Sequence, residues 1–169
     1  MSQPSETRTG ACHCGKIKYE LEGRAATPIY NTVCHCLNCQ YITGSALLAA
    51  SIVPKEGFSI TQGEGALKTY IDTKTDSGQP LTRKFCGECG SKLFAFTPLD
   101  ENIVSIAAGT LDNFDDWKPS KEQYCIHRLG FVDKMKGVEN KNRHVTSVRS
   151  EAEQVWNRVL ETGQRCISF

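Results

Sequence analysis

Apolar and polar residues alternate over short segments along most of the chain, which predicts β-strands. Ile17, Tyr19 and Leu21 are separated by polar residues, the pattern of a strand with one buried face. Residues 46–53 are nearly continuously apolar and end at Pro54, which indicates a strand buried on both faces. Similar signals predict strands at 29–33, 58–61, 67–71, 81–85, 93–96, 103–108, 122–126 and 131–132.

The helix signal is confined to the C-terminal end of the chain. Ser150 and Glu153 form a capping box, and apolar residues with helical spacing follow on one face. We therefore predict one helix at about 151–162. Short, mostly antiparallel strands followed by a single C-terminal helix place the chain in the mainly β class.

The composition is that of an ordinary folded protein of one domain. The 169 residues include 20 Lys and Arg against 19 Asp and Glu, so the net charge is +1. This balance gives no global field for attracting nucleic acid or anionic lipid, and no apolar stretch approaches the roughly 20 residues that cross a bilayer. The segment MSQPSETRTG lacks the apolar region of a secretory signal, so we expect a cytoplasmic protein.

Nine cysteines are the unusual feature of this composition. Cysteines separated by one residue are poorly placed for a disulfide with each other, whereas a tetrahedral zinc ion accepts such pairs. We therefore expect the clustered cysteines to bind metal, and the isolated Cys125 and Cys166 to be small buried apolar residues. The clusters are Cys12-His13-Cys14, Cys34-His35-Cys36-Leu37-Asn38-Cys39 and Cys86-Gly87-Glu88-Cys89.

The seven clustered cysteines divide into a set of four and a set of three. A structural zinc takes four protein ligands, and a catalytic zinc keeps one position open. The first and third clusters supply two pairs, and joining them closes a loop of about 70 residues, where a metal clip opposes chain entropy most. We therefore predict a structural zinc bound by Cys12, Cys14, Cys86 and Cys89.

The second cluster, Cys34, Cys36 and Cys39, predicts a second zinc site with three thiolates. Strand alternation points the first two to one side, and a turn brings the third round to them. The fourth position is then open to water or a substrate thiolate; the alternative is that Cys125 or His127 closes it. A zinc held by three thiolates is a mild Lewis acid suited to binding another thiol, which favours chemistry at sulfur.

Five short motifs occur in order: Gly10-Ala11-Cys12-His13-Cys14-Gly15, the second cluster, Thr43-Gly44-Ser45, Phe85-Cys86-Gly87-Glu88-Cys89-Gly90-Ser91 and Gly109-Thr110-Leu111-Asp112. Together they resemble the glutathione-dependent formaldehyde-activating enzyme family, also called the CENP-V/GFA domain, which has an Mss4-like β fold. The resemblance implies a carbon–sulfur lyase that reversibly condenses glutathione with formaldehyde. It also implies a structural zinc on the set of four and a catalytic zinc on the set of three.

Residues near the clusters receive supporting roles. His13 and His35 alternate with their cysteines, so we expect them to point away from the metal, at the surface or behind the ligands. Glu122 and Asp112 are candidates for moving protons. Glutathione carries two carboxylates, so basic side chains should line its binding groove. The substrate-binding candidates are Arg83, Lys84 and Arg128.

The motifs define the expected domain organisation, since they span roughly residues 8–133. We expect a flexible tail at 1–9, a zinc-binding domain at 10–133 and a C-terminal extension at 134–169. Residues 134–149 carry five basic residues and one acidic residue, and we interpret them as a solvated linker.

Two classes of function follow from these observations. The leading hypothesis is a lyase with two zinc ions that acts on an adduct of a small thiol such as glutathione. Its substrate could also be a larger conjugate of glutathione or cysteine. We expect such a lyase to have no membrane partner, and a homo-oligomer is compatible with this function. The alternative is a non-catalytic zinc scaffold that binds protein or chromatin, although the near-neutral charge argues against nucleic acid as a partner.

Overall fold

The structure, a computed structural model, describes residues 6–141. The helix predicted at about 151–162 and Cys166 lie outside the described residues. No helix in the described range is long and apolar enough to cross a membrane.

The described chain is built from short strands with one α-helix, so the predicted mainly β class is confirmed. The strands are β1 (Thr7–Ala11), β2 (Lys18–Glu22), β3 (Tyr30–Cys34), β4 (Leu48–Pro54), β5 (Phe58–Gln62), β6 (Leu67–Asp72), β7 (Leu81–Cys86), β8 (Lys92–Thr97), β9 (Asp100–Ala107), β10 (Lys121–Gln123) and β11 (Glu139–Lys141). The helix is α1 (Leu37–Thr43), and short 3-10 turns lie at Gly23–Ala26, Glu64–Ala66, Ala108–Thr110 and Cys125–His127.

Two sheets make up the fold. One contains three strands in the order β1-β2-β5, and the other contains eight in the order β11-β10-β3-β4-β9-β8-β7-β6. Most neighbours pair antiparallel, as predicted, but β10 runs parallel to both β3 and β11. The sequence could not show this difference because alternation reports which face a side chain takes and not the direction of its strand.

The main core lies between the two sheets and confirms the strongest sequence pattern. Ile17, Tyr19 and Leu21 are at most 1% exposed. The ring of Tyr19 meets Phe94 edge to face at a centroid distance of 5.1 Å, and Phe58 meets Phe94 at 4.9 Å. Aromatic pairs in this geometry add to the free energy gained from burying their area. β4 is buried along most of its length, as its apolar run predicted.

Several predicted boundaries differ from the structure. Residues 7–9 belong to β1 and not to a flexible tail, because their backbone pairs with β2 despite their polar side chains. Residues 131–132 form a turn and bend instead of a strand. Within 122–126, β10 ends at Gln123 and a 3-10 turn begins at Cys125. The sequence did not predict α1, because seven residues are too few for a helical period to show.

Gly10 offers a stability test of the close packing between β1, Tyr19 and the 3-10 turn at Ala108–Thr110. A Cβ at this position would overlap the ring of Tyr19 and the carbonyl oxygen of Thr110. We expect Gly10→Ala to lower the free energy of unfolding by about 1–3 kcal/mol, because neither group can move without disturbing the Tyr19–Thr110 hydrogen bond of 2.8 Å. Urea unfolding measures the loss. Gly109→Ala is the matched control, since a Cβ there meets nothing within 4 Å, and an equal loss in both variants would contradict the prediction.

Candidate metal centres

The four cysteines of the first and third clusters converge on one point. The Sγ atoms of Cys12, Cys14, Cys86 and Cys89 all lie within 4.8 Å of one another. Cys12 Sγ lies 3.5 Å from Cys14 Sγ, which in turn lies 3.8 Å from Cys86 Sγ. We call these residues the four-cysteine centre. Four thiols at this spacing could hold a metal ion with a complete set of protein ligands.

Two tight turns position the ligands of the four-cysteine centre. In the turn after β1, the Gly15 N–H donates to the Cys12 carbonyl at 2.9 Å, and in the turn after β7 the Gly90 N–H donates to the Cys86 carbonyl at 2.9 Å. Both glycines have φ near +70°, which other residues adopt only with strain. The Ile17 N–H also donates to Cys12 Sγ at 3.2 Å. Each ligand pair is therefore positioned by the hydrogen bonds of its own turn.

The second cluster also converges, and α1 is the element that brings it together. Cys34 ends β3, Cys36 is the N-cap of α1, and Cys39 lies in its first turn; their Sγ atoms are within 4.8 Å of one another. The Cys39 N–H donates to Cys36 Sγ at 3.4 Å. We call this set the three-cysteine centre. It could hold a metal ion with one coordination position left for another ligand.

Neither residue considered as a fourth ligand joins the three-cysteine centre. Among residues 6–141, no further Cys, His, Asp or Glu lies within 4.8 Å of all three thiols. Cys125 is half-buried, not buried as predicted, and its Sγ lies 3.5 Å from the Glu122 carbonyl and 3.6 Å from Asn140 Oδ1. The His127 carbonyl accepts a hydrogen bond from the Gln40 side chain at 3.0 Å, which ties this turn to α1.

The three thiols share negative charge unevenly. Hydrogen bonds from Cys34 and Cys36 lower the pKa of the Cys39 thiol well below its usual value, and attraction to Arg83 and Lys92 lowers it further. Hydrogen bonding to Cys36 and Cys39 raises the pKa of Cys34. Among the three thiols, Cys39 is therefore the one that most favours negative charge, and Arg83 and Lys92 lie on its side.

A buried network lies behind the three-cysteine centre. His35 Nε2 lies 2.9 Å from Glu122 Oε1, and both side chains are fully buried. The Arg128 Nε–H donates to the same oxygen at 2.9 Å. His35 thus points away from the thiols, as predicted, whereas His13 is at the surface. Such contacts orient the loop that carries the ligands.

A second buried network joins α1 to the hairpin of β6 and β7. Arg83 Nη2 and Nε lie 2.7 and 2.8 Å from Asp72 Oδ2, and both residues are almost fully buried. The Asn38 side-chain amide donates to the same carboxylate oxygen at 2.9 Å and to the Lys74 carbonyl at 2.7 Å. The Asp72 carboxylate, which is held by Arg83, therefore fixes the position of α1 next to Cys39.

Lys84 and Asp112, which were predicted to bind substrate and to move protons, take no part in the pairing of Arg83 with Asp72. Lys84 takes the opposite face of β7 from Arg83, and its Nζ lies 5.6 Å from the centroid of the Phe96 ring. Asp112 accepts a hydrogen bond from the Thr9 hydroxyl and so fastens β1 to the turn that follows β9.

Two residues that the sequence analysis missed lie at the three-cysteine centre. Tyr124 packs against the apolar side chains around it and has φ of 56°, a left-handed conformation that is costly for a tyrosine. Lys92 Nζ is buried there without a hydrogen-bond partner among the described residues. Strand alternation could not predict the position of either side chain. Tyr124 depends on its left-handed backbone, and Lys92 depends on a break in the pairing of β7 with β8.

The chain is similar to a known protein family in sequence and to a known protein in structure. The sequence model of a family described as glutathione-dependent formaldehyde-activating enzyme matches residues 7–127. The crystal structure of a Rhodobacter sphaeroides protein is similar at 16% sequence identity, with a TM-score of 0.49, and the match covers 62% of this chain and 88% of that chain.

Proposed function

The chain belongs to the glutathione-dependent formaldehyde-activating enzyme family, and we propose that it is a zinc-dependent carbon–sulfur lyase. Its substrate is an adduct of glutathione or a related thiol, such as S-(hydroxymethyl)glutathione. In the cleavage direction the carbon–sulfur bond breaks and the sulfur keeps the electron pair, while the hydroxyl group loses its proton to solvent and becomes the carbonyl of formaldehyde; the products are the thiolate, formaldehyde and a proton. The proposal places the protein in the cytoplasm, where cysteines stay reduced and available to metal.

The contrast between the two centres is the observation that carries this proposal. The four-cysteine centre supplies a complete ligand set and suits a structural zinc, whereas the three-cysteine centre supplies one thiol fewer. A zinc ion at the second centre would act as a Lewis acid that lowers the pKa of a substrate thiol. In this proposal Cys34, Cys36 and Cys39 hold the catalytic zinc.

The surrounding residues shield two of the three thiols of the three-cysteine centre from solvent. Cys34 and Cys39 are buried, and apolar side chains that include Leu48 and Ala50 pack against them. Shielding from water strengthens interactions between charges at the site. Among the basic candidates, Arg128 is the one we propose for a glutathione carboxylate, because its side chain keeps 21% exposure while Arg83 is buried against Asp72.

Calorimetric titration of the zinc-loaded protein with glutathione tests the proposal, with Cys36→Ser as the decisive variant. Serine is a good N-cap, so its hydroxyl can replace the cap of α1 and the fold should survive. An alcohol is a far weaker zinc ligand than a thiolate, so we expect the second zinc, glutathione binding and lyase activity all to be lost.

Cys125→Ser serves as the matched control, because it removes a thiol near the site that belongs to neither centre. This variant should bind glutathione like the wild type. If Cys36→Ser retains activity, the second zinc has no part in the reaction. If neither protein binds glutathione, larger thiol conjugates or a scaffold role become the better explanation.

A further inference from the structure

Lys92 carries an ammonium group that the fold buries without pairing it. Its Nζ is inaccessible to solvent and has no hydrogen-bond partner among the described residues. The neighbouring charged side chains are paired, buried Arg83 with Asp72 and half-buried Arg128 with Glu122. Burying an unpaired charge is costly, so such a group in a folded protein calls for an anion that completes it.

A break in the pairing of β7 and β8 turns Lys92 toward the three-cysteine centre. Lys84 pairs with Phe94, but the next residue, Phe85, pairs with Lys92, so Leu93 is an extra residue in the ladder. Without this bulge Lys92 would share the core face with Phe94. With it, Lys92 takes the face of β7 that carries the Arg83 side chain. Bulges commonly redirect a side chain beside a functional site.

The electrostatics of Lys92 agree with this placement. Burial lowers the pKa of the Lys92 ammonium to about 8, whereas attraction to the thiols of Cys39, Cys34 and Cys36 opposes that shift. Repulsion from Arg83 adds to the lowering. Lys92 therefore lies on the side of the three-cysteine centre where Arg83 also lies.

We propose that the Lys92 ammonium binds the sulfur of an incoming thiolate at the open position of the three-cysteine centre. This inference rests on the proposed function and assigns that site a substrate-binding residue. Three thiolates around a divalent zinc leave one net negative charge, and a fourth thiolate doubles it. The Asp72–Arg83 and Glu122–Arg128 pairs cannot offset this charge, because each is already balanced. Lys92 supplies the positive charge that the fourth sulfur needs.

Thiol titration of the cobalt-loaded protein tests this role without relying on turnover. A new sulfur–cobalt bond changes the visible and near-ultraviolet absorption, so binding is read directly at the metal. We expect Lys92→Met to load both metals and to bind 2-mercaptoethanol and glutathione at least about tenfold more weakly, the loss of one charge-assisted contact. Lys84→Met is the matched control and should bind both thiols within about twofold of the wild type, because Lys84 takes the other face of β7.

The outcomes separate this inference from the proposed function. A cobalt spectrum of the wild type that thiols leave unchanged would overturn both. A wild-type response that Lys92→Met retains at full affinity would overturn the role of Lys92 alone. Weaker binding of glutathione but not of 2-mercaptoethanol would overturn it as well, because the ammonium would then contact a carboxylate. If Lys92→Met misfolds, Lys92→Arg replaces it; this variant keeps the charge, and failure to bind either thiol in a loaded, folded protein would contradict the inference.

Discussion

Replacing Cys86 with serine is expected to abolish stable folding of the chain. Cys86 ends β7 in the eight-stranded sheet, and its partner Cys12 directly follows β1 in the three-stranded sheet. A metal at the four-cysteine centre therefore clamps the two sheets whose contact forms the main core. Structural zinc sites contribute apparent binding free energies of about 10–16 kcal/mol, as large as the entire stability of a typical domain, about 5–15 kcal/mol.

Far-UV circular dichroism and metal analysis of the purified variant measure this effect. Cys36→Ser is the informative comparison, because it also removes one thiol ligand but from the three-cysteine centre, and it should retain its sheets. We expect Cys86→Ser to lack a cooperative thermal transition, and a strong chelator to produce the same state in the wild type. A Cys86→Ser protein that unfolds cooperatively near the wild-type temperature would show that the four-cysteine centre is dispensable for the fold.

Asp72→Ala is expected to have the second largest effect, a loss of about 3–5 kcal/mol in the free energy of unfolding. The substitution leaves the buried Arg83 guanidinium without its anion, and burial prevents water from replacing the carboxylate. It also removes one of the two acceptor groups of the Asn38 amide, so α1 loses a contact adjacent to Cys39 and keeps the one to the Lys74 carbonyl. Urea unfolding of the metal-loaded protein measures the change in stability.

The double variant Asp72→Leu with Arg83→Met distinguishes a pairing effect from a packing effect. Replacing both members of a buried ion pair by apolar residues is often neutral, so the double variant should be markedly more stable than Asp72→Ala. If the double variant loses as much as the single one, the ion pair itself is not the cause. Both variants remove the contact between Asp72 and the Asn38 amide. The metal affinity of the double variant at the three-cysteine centre therefore measures how much that contact contributes to metal binding.

The order of apolar and polar residues predicted the strands, and the spacing of the cysteines predicted the two metal centres. The alternation in β2 and the apolar run of β4 follow directly from which faces are buried. The division of seven cysteines into four and three followed from spacing and coordination number, and the structure brings together both sets. The mainly β class was predicted for the same reason, since strand signals repeat at short intervals.

The contacts that shape the three-cysteine centre could not be predicted, because they join residues far apart in sequence. His35 and Glu122 are 87 positions apart, and Asn38 and Asp72 are 34 apart. Lys92 lies on the side of the thiols because Leu93 is an extra residue in the pairing of β7 with β8. Such a bulge leaves no signal in the composition of the strand. Charge alone singled out Lys84, whose Nζ lies over the Phe96 ring, and gave no reason to single out Lys92.

The wide separation of the two cysteine pairs sets an order of events during synthesis. Cys86 is made 72 residues after Cys14, which takes about 4–14 s at a translation rate of about 5–20 residues per second. For about the last two thirds of that interval the nascent chain also contains Cys34, Cys36 and Cys39, so its early thiols can capture an ion in a non-native combination. The centre that clamps the fold is thus the last to be completed, and correct metal loading depends on releasing any ion captured too early.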